Sequence, residues 1–460
     1  MRPGKLRCVA AAHPLPPCSH TTNPPQNQRG SADIIAALPS RLRRLDLSRN
    51  AVGVLNACDI ARRQARPGGS LEVLELRGCF LCSHGNDARA VHALARALAV
   101  GAPLRSLAVD GNCLPKEATL AVAAALRLSR TLVRLSLADN KLWADSAEAL
   151  GAAAAARCAA GSDVALLLGG CSLRAPEMAS LARGTRGPDR RRQRRRRSVS
   201  PTVGLRRSPR PGTLGLDLRR NPIGVGAADA LRSLLTNAAA PVRALSLAHV
   251  PLPAPLLEAI CDGIESRSPH LKHLDLDCTA LAPLRGTAIS SALGAAWAAP
   301  GGEGSLPSGR VAAPLLPPLE TLSLEACSFG YVGAEAFAAL LASVPGHPLK
   351  RLNLRRNFVG ARGVAALRPV LLADRGLERL VLGRDDLAHP GFGPAALGHG
   401  KTVRTRPLAM ASRVAVLSSV CCAAADGTQN SLPADVVRGL LDFLDTPVCM
   451  SVDDGQHHPA

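Results

Sequence analysis

The sequence predicts an α/β solenoid, with short parallel strands lining its concave face and helices on its convex face. Three observations carry this. A leucine-spaced motif recurs eleven times, its copies keep a near-constant register, and alanine–leucine stretches of helical period fill the intervals. The motif reads L-x-x-L-x-L-x-x-N/C-x-L. Leucines two apart give a short strand with one buried face. Three residues after the last strand leucine, Asn or Cys stands where the chain turns out of the sheet. Its side chain is expected to hydrogen-bond the turn and the neighbouring coil, so that these residues stack as a ladder.

The first four copies are complete: Leu42-Leu45-Leu47-Asn50-Val52, Leu71-Leu74-Leu76-Cys79-Leu81, Leu104-Leu107-Val109-Asn112-Leu114 and Leu132-Leu135-Leu137-Asn140-Leu142. The fifth and sixth lack the opening leucine, reading Leu166-Leu168-Cys171-Leu173 and Leu216-Leu218-Asn221-Ile223. Val242-Leu245-Leu247-Val250-Leu252 follows, with a ladder residue that offers no donor, and then Leu271-Leu274-Leu276-Thr279-Leu281. The last three are Leu319-Leu322-Leu324-Cys327-Phe329, Leu349-Leu352-Leu354-Asn357-Val359 and Leu377-Leu380-Leu382-Asp385-Leu387. Starts lie 28 to 33 residues apart, apart from two jumps of about 50. The jumps hold insertions, Arg-rich at 184–212 and Gly/Pro/Ala-rich at 282–318.

Between strands the apolar period becomes helical, over 87–100, 116–128, 145–156, 227–236, 334–342 and 363–368, the last cut short by Pro369. Trp143 and Tyr331, just past the ladder position, are expected to pack helix on sheet. The implied organisation is a disordered leader over 1–40, the repeat array over 41–389 and a C-terminal cap and tail over 390–460. The leader is basic and broken by Pro14, Pro16, Pro17, Pro24 and Pro25, and a transit peptide is its other reading.

The motif and its period resemble the ribonuclease-inhibitor-like leucine-rich repeats, a class shared by ribonuclease inhibitors, Ran GTPase-activating proteins and NOD-like receptor sensor regions. The resemblance spans 42–387. It implies a leucine-rich-repeat horseshoe, and leaves the function open because that fold hosts unrelated partners.

Composition narrows the function classes. Aromatic residues are 2% of the 460, with one Tyr, two Trp and six Phe, while apolar residues are 47%. Such a core is built from Leu, Ala and Val, and base-stacking nucleic-acid readers are excluded. The net charge of +21 is concentrated, since residues 186–210 hold eleven Arg against one Asp. The fourteen Cys do not form a disulfide framework in a long chain without a secretory signal, so reduced thiols in a cytosolic or nuclear compartment are expected. Cys79 and Cys82 make a C-x-x-C with no second pair at zinc spacing; Cys79, Cys171 and Cys327 are ladder residues, and no metal or cofactor is expected. There is no P-loop, G-x-S-x-G, H-E-x-x-H or kinase set, so no catalytic residues are expected. No apolar run is long enough to span a bilayer.

The positions flanking the strand leucines point into the concave face. They supply Arg44, Asp46, Glu75, Arg77, Asp110 and Arg134 at one end, a small-residue waist, and then His273, Asp275, Asp277, Glu325, Arg351, Asn353, Arg355 and Arg379. These are the candidate partner-binding residues, standing as two polar patches; as plain solvated sheet residues they would do nothing further.

The block Arg190, Arg191, Arg192, Arg194, Arg195, Arg196 and Arg197 self-repels and is expected to be disordered. It reads as a nuclear-import signal, a weak nonspecific RNA or anionic-surface contact, or an inert loop. Phosphates on Ser198, Ser200 or Ser208 would neutralise part of it. Residues 431–444 look like the opening helix of an F-box or an amphipathic cap on the open edge of the array. The expectation is a non-enzymatic scaffold binding a protein partner, cytoplasmic with nuclear access. The alternatives are a GTPase-activating protein for a small GTPase and a ubiquitin-ligase adaptor.

Overall fold

The computed structural model describes residues 6–7, 41–66, 68–186, 212–265, 270–279, 283–298, 319–344, 346–373, 377, 379–382 and 449–452. The chain divides into two compact units, Met1–Leu245 and Ser246–Ala460. Both are α/β and built from the same alternating strand–helix repeat, the arrangement of a leucine-rich-repeat solenoid.

In the first unit the strands Arg44–Asp46, Val73–Glu75, Ser106–Ala108, Arg134–Ser136, Val164–Leu167 and Leu214–Asp217 pair in parallel, in chain order. Leu45, Leu74, Leu107, Leu135, Leu166 and Leu216 stand in one register row. The second unit repeats this with His273–Asp275, Thr321–Ser323, Arg351–Asn353 and Arg379–Leu382, whose row is Leu274, Leu322, Leu352 and Leu380. The strand Val242–Ser246 lies at the division. Leu6–Arg7 pairs with the first strand of the first unit and Cys449–Val452 with the last of the second. The rows are the leucines of the motif, and every one of them is buried. Neither insertion breaks them, since Leu166 still faces Leu216 and Leu274 still faces Leu322.

Helices connect the strands: Gly53–Ala65, Arg89–Ala99, Lys116–Leu128, Ala144–Ala159, Ala175–Thr185 and Ala228–Leu235 in the first unit. The second has Ala254–Glu265, Pro283–Ala298, Gly330–Ser343 and Gly360–Ala373. Their small residues let neighbours approach closely. A Cβ on Gly151 would lie 2.5 Å from the Leu181 carbonyl oxygen, and one on Gly184 would run into the Glu148 carbonyl. One expectation fails here. The final helix does not stop before Pro369 but runs on to Ala373, because proline removes a single N–H while the following turn keeps its own bonds.

The asparagine ladder forms as the motif implies. Asn112 Nδ2 donates to the carbonyls of Leu76 at 2.7 Å and Asp110 at 3.0 Å, while its Oδ1 accepts Cys79 N–H at 2.8 Å and Leu81 N–H at 3.2 Å. Asn140 does the same for Asn112 and Leu114, and Asn357 for Cys327 and Phe329. The cysteine rungs keep half of this. Cys79 Sγ donates to Leu47 O at 3.0 Å, Cys171 Sγ to Leu137 O at 3.2 Å and Cys327 Sγ to Leu276 O at 3.0 Å. Burial pushes the first two thiols up to about 12 and Cys327 to about 11, which keeps each protonated as a donor.

Two features lie beyond the motif. Among the described residues, the residue before each ladder position is left-handed, with φ between 53 and 65°, whether it is glycine (Gly78, Gly111, Gly170) or not (Arg49, Asp139, Arg220, His249, Cys278, Ala326, Arg356). A second polar ladder runs where the strands begin. Ser70 Oγ donates to Leu42 O at 2.8 Å, Thr131 Oγ1 to Leu104 O at 2.9 Å, and the buried Arg157 donates through Nη2 to Leu132 O at 3.1 Å.

Candidate protein-binding surface on the strands

A three-residue strand whose middle leucine is buried must turn its first and third residues away from the core. The candidate residues occupy these positions, or the turn position two further on. The structure brings them together in two groups, one per unit.

In the first unit Arg44, Glu75, Arg77 and Asp110 form a chain of ion pairs across three strands. Arg44 Nη2 lies 2.6 Å from Glu75 Oε1, while Arg77 reaches Glu75 Oε2 at 3.5 Å and Asp110 Oδ2 at 3.2 Å. Asp110 also accepts Ala138 N–H at 3.0 Å and the Ser136 hydroxyl; burial nevertheless raises its carboxyl above the ordinary range. Asp46 is half-buried and accepts Ser48 N–H at 3.0 Å. Arg134 is exposed, between Ser106 and Ala165 in register, with no carboxylate partner among the described residues.

The second unit carries a denser network. Asp275 accepts the Ser246 hydroxyl at 2.7 Å and Asp277 N–H at 3.1 Å. Asp277 accepts the Ser323 hydroxyl at 2.6 Å and Glu325 N–H at 2.7 Å. Asn353 Nδ2 donates to Ser323 Oγ at 3.0 Å and to Glu325 Oε2 at 3.3 Å, and Arg355 Nη1 lies 3.4 Å from Glu325 Oε1. Asp277 is pushed up to about 6, first by burial and then by the Asp275 and Glu325 carboxylates, against the pull of its hydrogen bonds. His273, Arg351 and Arg379 complete the group as exposed side chains where their strands begin. Among the described residues no cluster of His, Cys, Asp and Glu is suited to hold a metal ion, and no helix is long and apolar enough to cross a membrane.

Sequence reasoning missed the aromatic edge of the second unit. Tyr331 is exposed instead of packing helix on sheet, and the Arg362 guanidinium lies 4.6 Å from its ring centre while also pairing with Glu335. Trp143, by contrast, is half-buried, beneath Lys141. Phe358, directly after the Asn357 rung, is 76% exposed at a φ of 54°. Its counterpart Phe80, at a φ of 57°, is half-buried and packs edge-on against His84. The only sequence signal was a bulky aromatic in a turn that elsewhere takes small or polar residues.

The arginine block 190–197, Ser198, Ser200, Ser208 and the F-box-like stretch 431–444 lie outside the described residues. No protein-family model matches the chain, and no curated protein matches it.

Proposed function

We propose that this chain is a non-enzymatic interaction scaffold of the ribonuclease-inhibitor-like leucine-rich-repeat class, which binds a protein partner on its strand surface in the cytoplasm, with access to the nucleus. The observation that supports this reading is the ordering of that surface. Side chains 30 to 46 residues apart in sequence are held across neighbouring strands by hydrogen bonds and ion pairs, over a buried leucine layer. Polar groups fixed in this way lose little conformational freedom when a partner arrives. Charged and amide groups in place of an apolar patch suit a reversible partner.

Proximity labelling in cells tests the reading, comparing wild type with a variant carrying Arg44→Gln, Arg77→Gln, Arg134→Gln and Glu325→Gln. The strand-surface variant is expected to lose a discrete set of labelled neighbours while keeping its circular dichroism. An unchanged set overturns strand-surface binding. Acceleration of GTP hydrolysis when purified chain is added to a panel of small GTPases overturns the non-enzymatic reading.

A further inference from the structure

We propose that the second unit selects a partner segment with carboxylates at one end and a cation at the other, seated on Arg351 and Arg379 and on Asp275 and Asp277 respectively. This rests on the strand surface being the binding face. Arg351 and Arg379 face each other in register on adjacent parallel strands, so their backbones are about 4.8 Å apart. Both are exposed, and neither has a carboxylate partner among the described residues. Other cations of the same unit are neutralised: Lys272 pairs with Glu320, Arg355 with Glu325 and Arg362 with Glu335. A single strand and the turn after it therefore carry a paired arginine, Arg355, beside Arg351 and Arg356, which have no carboxylate partner among the described residues.

Like charges opposed across strands repel, so the fold gains nothing from the pair. A carboxylate placed between them reverses the sign of that interaction, and two guanidinium forks match carboxylate oxygens two at a time. Asp275 and Asp277 present the complementary case. They lie on the strand two before Arg351 and its following turn, and their side-chain bonds come from hydroxyls and backbone N–H groups, with no cation among the described partners. Three strand spacings separate Asp275 from Arg379, about 15 Å, which roughly five extended residues cross. A uniform polyanion such as RNA fits the arginines but is repelled by the aspartates. A protein segment of mixed sign satisfies both.

The test places a photo-crosslinking side chain at Thr321, the register neighbour of both His273 and Arg351, in the full-length chain. Three probes are compared: a peptide of three Glu, two Gly and three Lys, an all-Glu octapeptide, and oligouridylate. The mixed peptide is expected to label most strongly and to lose label as salt rises. In Arg351→Gln/Arg379→Gln its label should fall about fivefold or more, from two partly exposed ion pairs, with Arg351→Lys/Arg379→Lys in between. The Gln variant should melt no lower than wild type, because it removes a repulsion. Equal labelling by oligouridylate or the all-Glu peptide, unchanged or absent labelling by the mixed peptide, or early melting of the Gln variant overturns the proposal. Peptide labelling that behaves as expected while cellular neighbours ignore the strand surface would sink the reading of function and leave this charge chemistry standing.

Discussion

The Asn112 side-chain oxygen accepts the backbone N–H of Cys79, a residue 33 positions earlier, at 2.8 Å. One amide thereby serves two coils, because its NH2 group also donates to carbonyls on both. Cysteine at the same position donates only.

The rungs should therefore differ in worth. Asn112→Ala strands the N–H groups of Cys79 and Leu81 in the core, at about 1–3 kcal/mol for each unsatisfied group. Cys79→Ala removes one weak thiol donor and should cost about 1 kcal/mol. Urea melts of the two variants check the order, which would be contradicted by equal midpoints.

Much of this was legible in the sequence. The leucine rows and the Asn and Cys ladder follow from a period-two strand pattern repeated in register, and the surface positions follow from strand alternation. What could not be read was which of these positions are already occupied by one another. Arg44 is spent on Glu75 and Arg355 on Glu325, whereas Arg351 stays open. Those outcomes depend on rotamers meeting across neighbouring repeats, which spacing does not encode. The left-handed residue before each rung was hidden for a different reason. Asp139, Ala326 and Arg356 adopt there the conformation that glycine marks at Gly78, Gly111 and Gly170.

Helix contact supplies a second prediction. Gly184 backs onto the Glu148 carbonyl with no room for a side chain. Gly184→Val should cost about 3 kcal/mol or more by forcing the two helices apart. Thermal melting decides it, and a wild-type transition would show that the helices slide without penalty.

Asp277 sets a pH dependence. Its folded value of about 6 stands above the ordinary 3.8, so the fold favours the protonated form. That contribution is complete below pH 3.8 and is lost as pH rises through 6. Asp277→Asn keeps an uncharged acceptor for Ser323 and Glu325 at every pH. Its melting temperature relative to wild type should rise between about pH 4 and about pH 7.5. A difference that stays flat would show that Asp277 titrates normally.

Phe358 holds a left-handed backbone while its ring faces solvent. Phe358→Gly removes a strain of about 1 kcal/mol and forfeits little packing, so the variant should be at least as stable as wild type. A lower melting temperature would reveal a packing role for the ring.

The central claim is that partners meet the strands and not the helices. Two photo-crosslinking variants of the full chain test it most directly, one at Arg134 on a strand and one at Ala124 on the exposed side of the Lys116–Leu128 helix. Irradiated in cells, the Arg134 variant should give a discrete covalent adduct with another protein, and the Ala124 variant none above background. Adducts from Ala124 with none from Arg134 would contradict the claim and move the binding face to the helices.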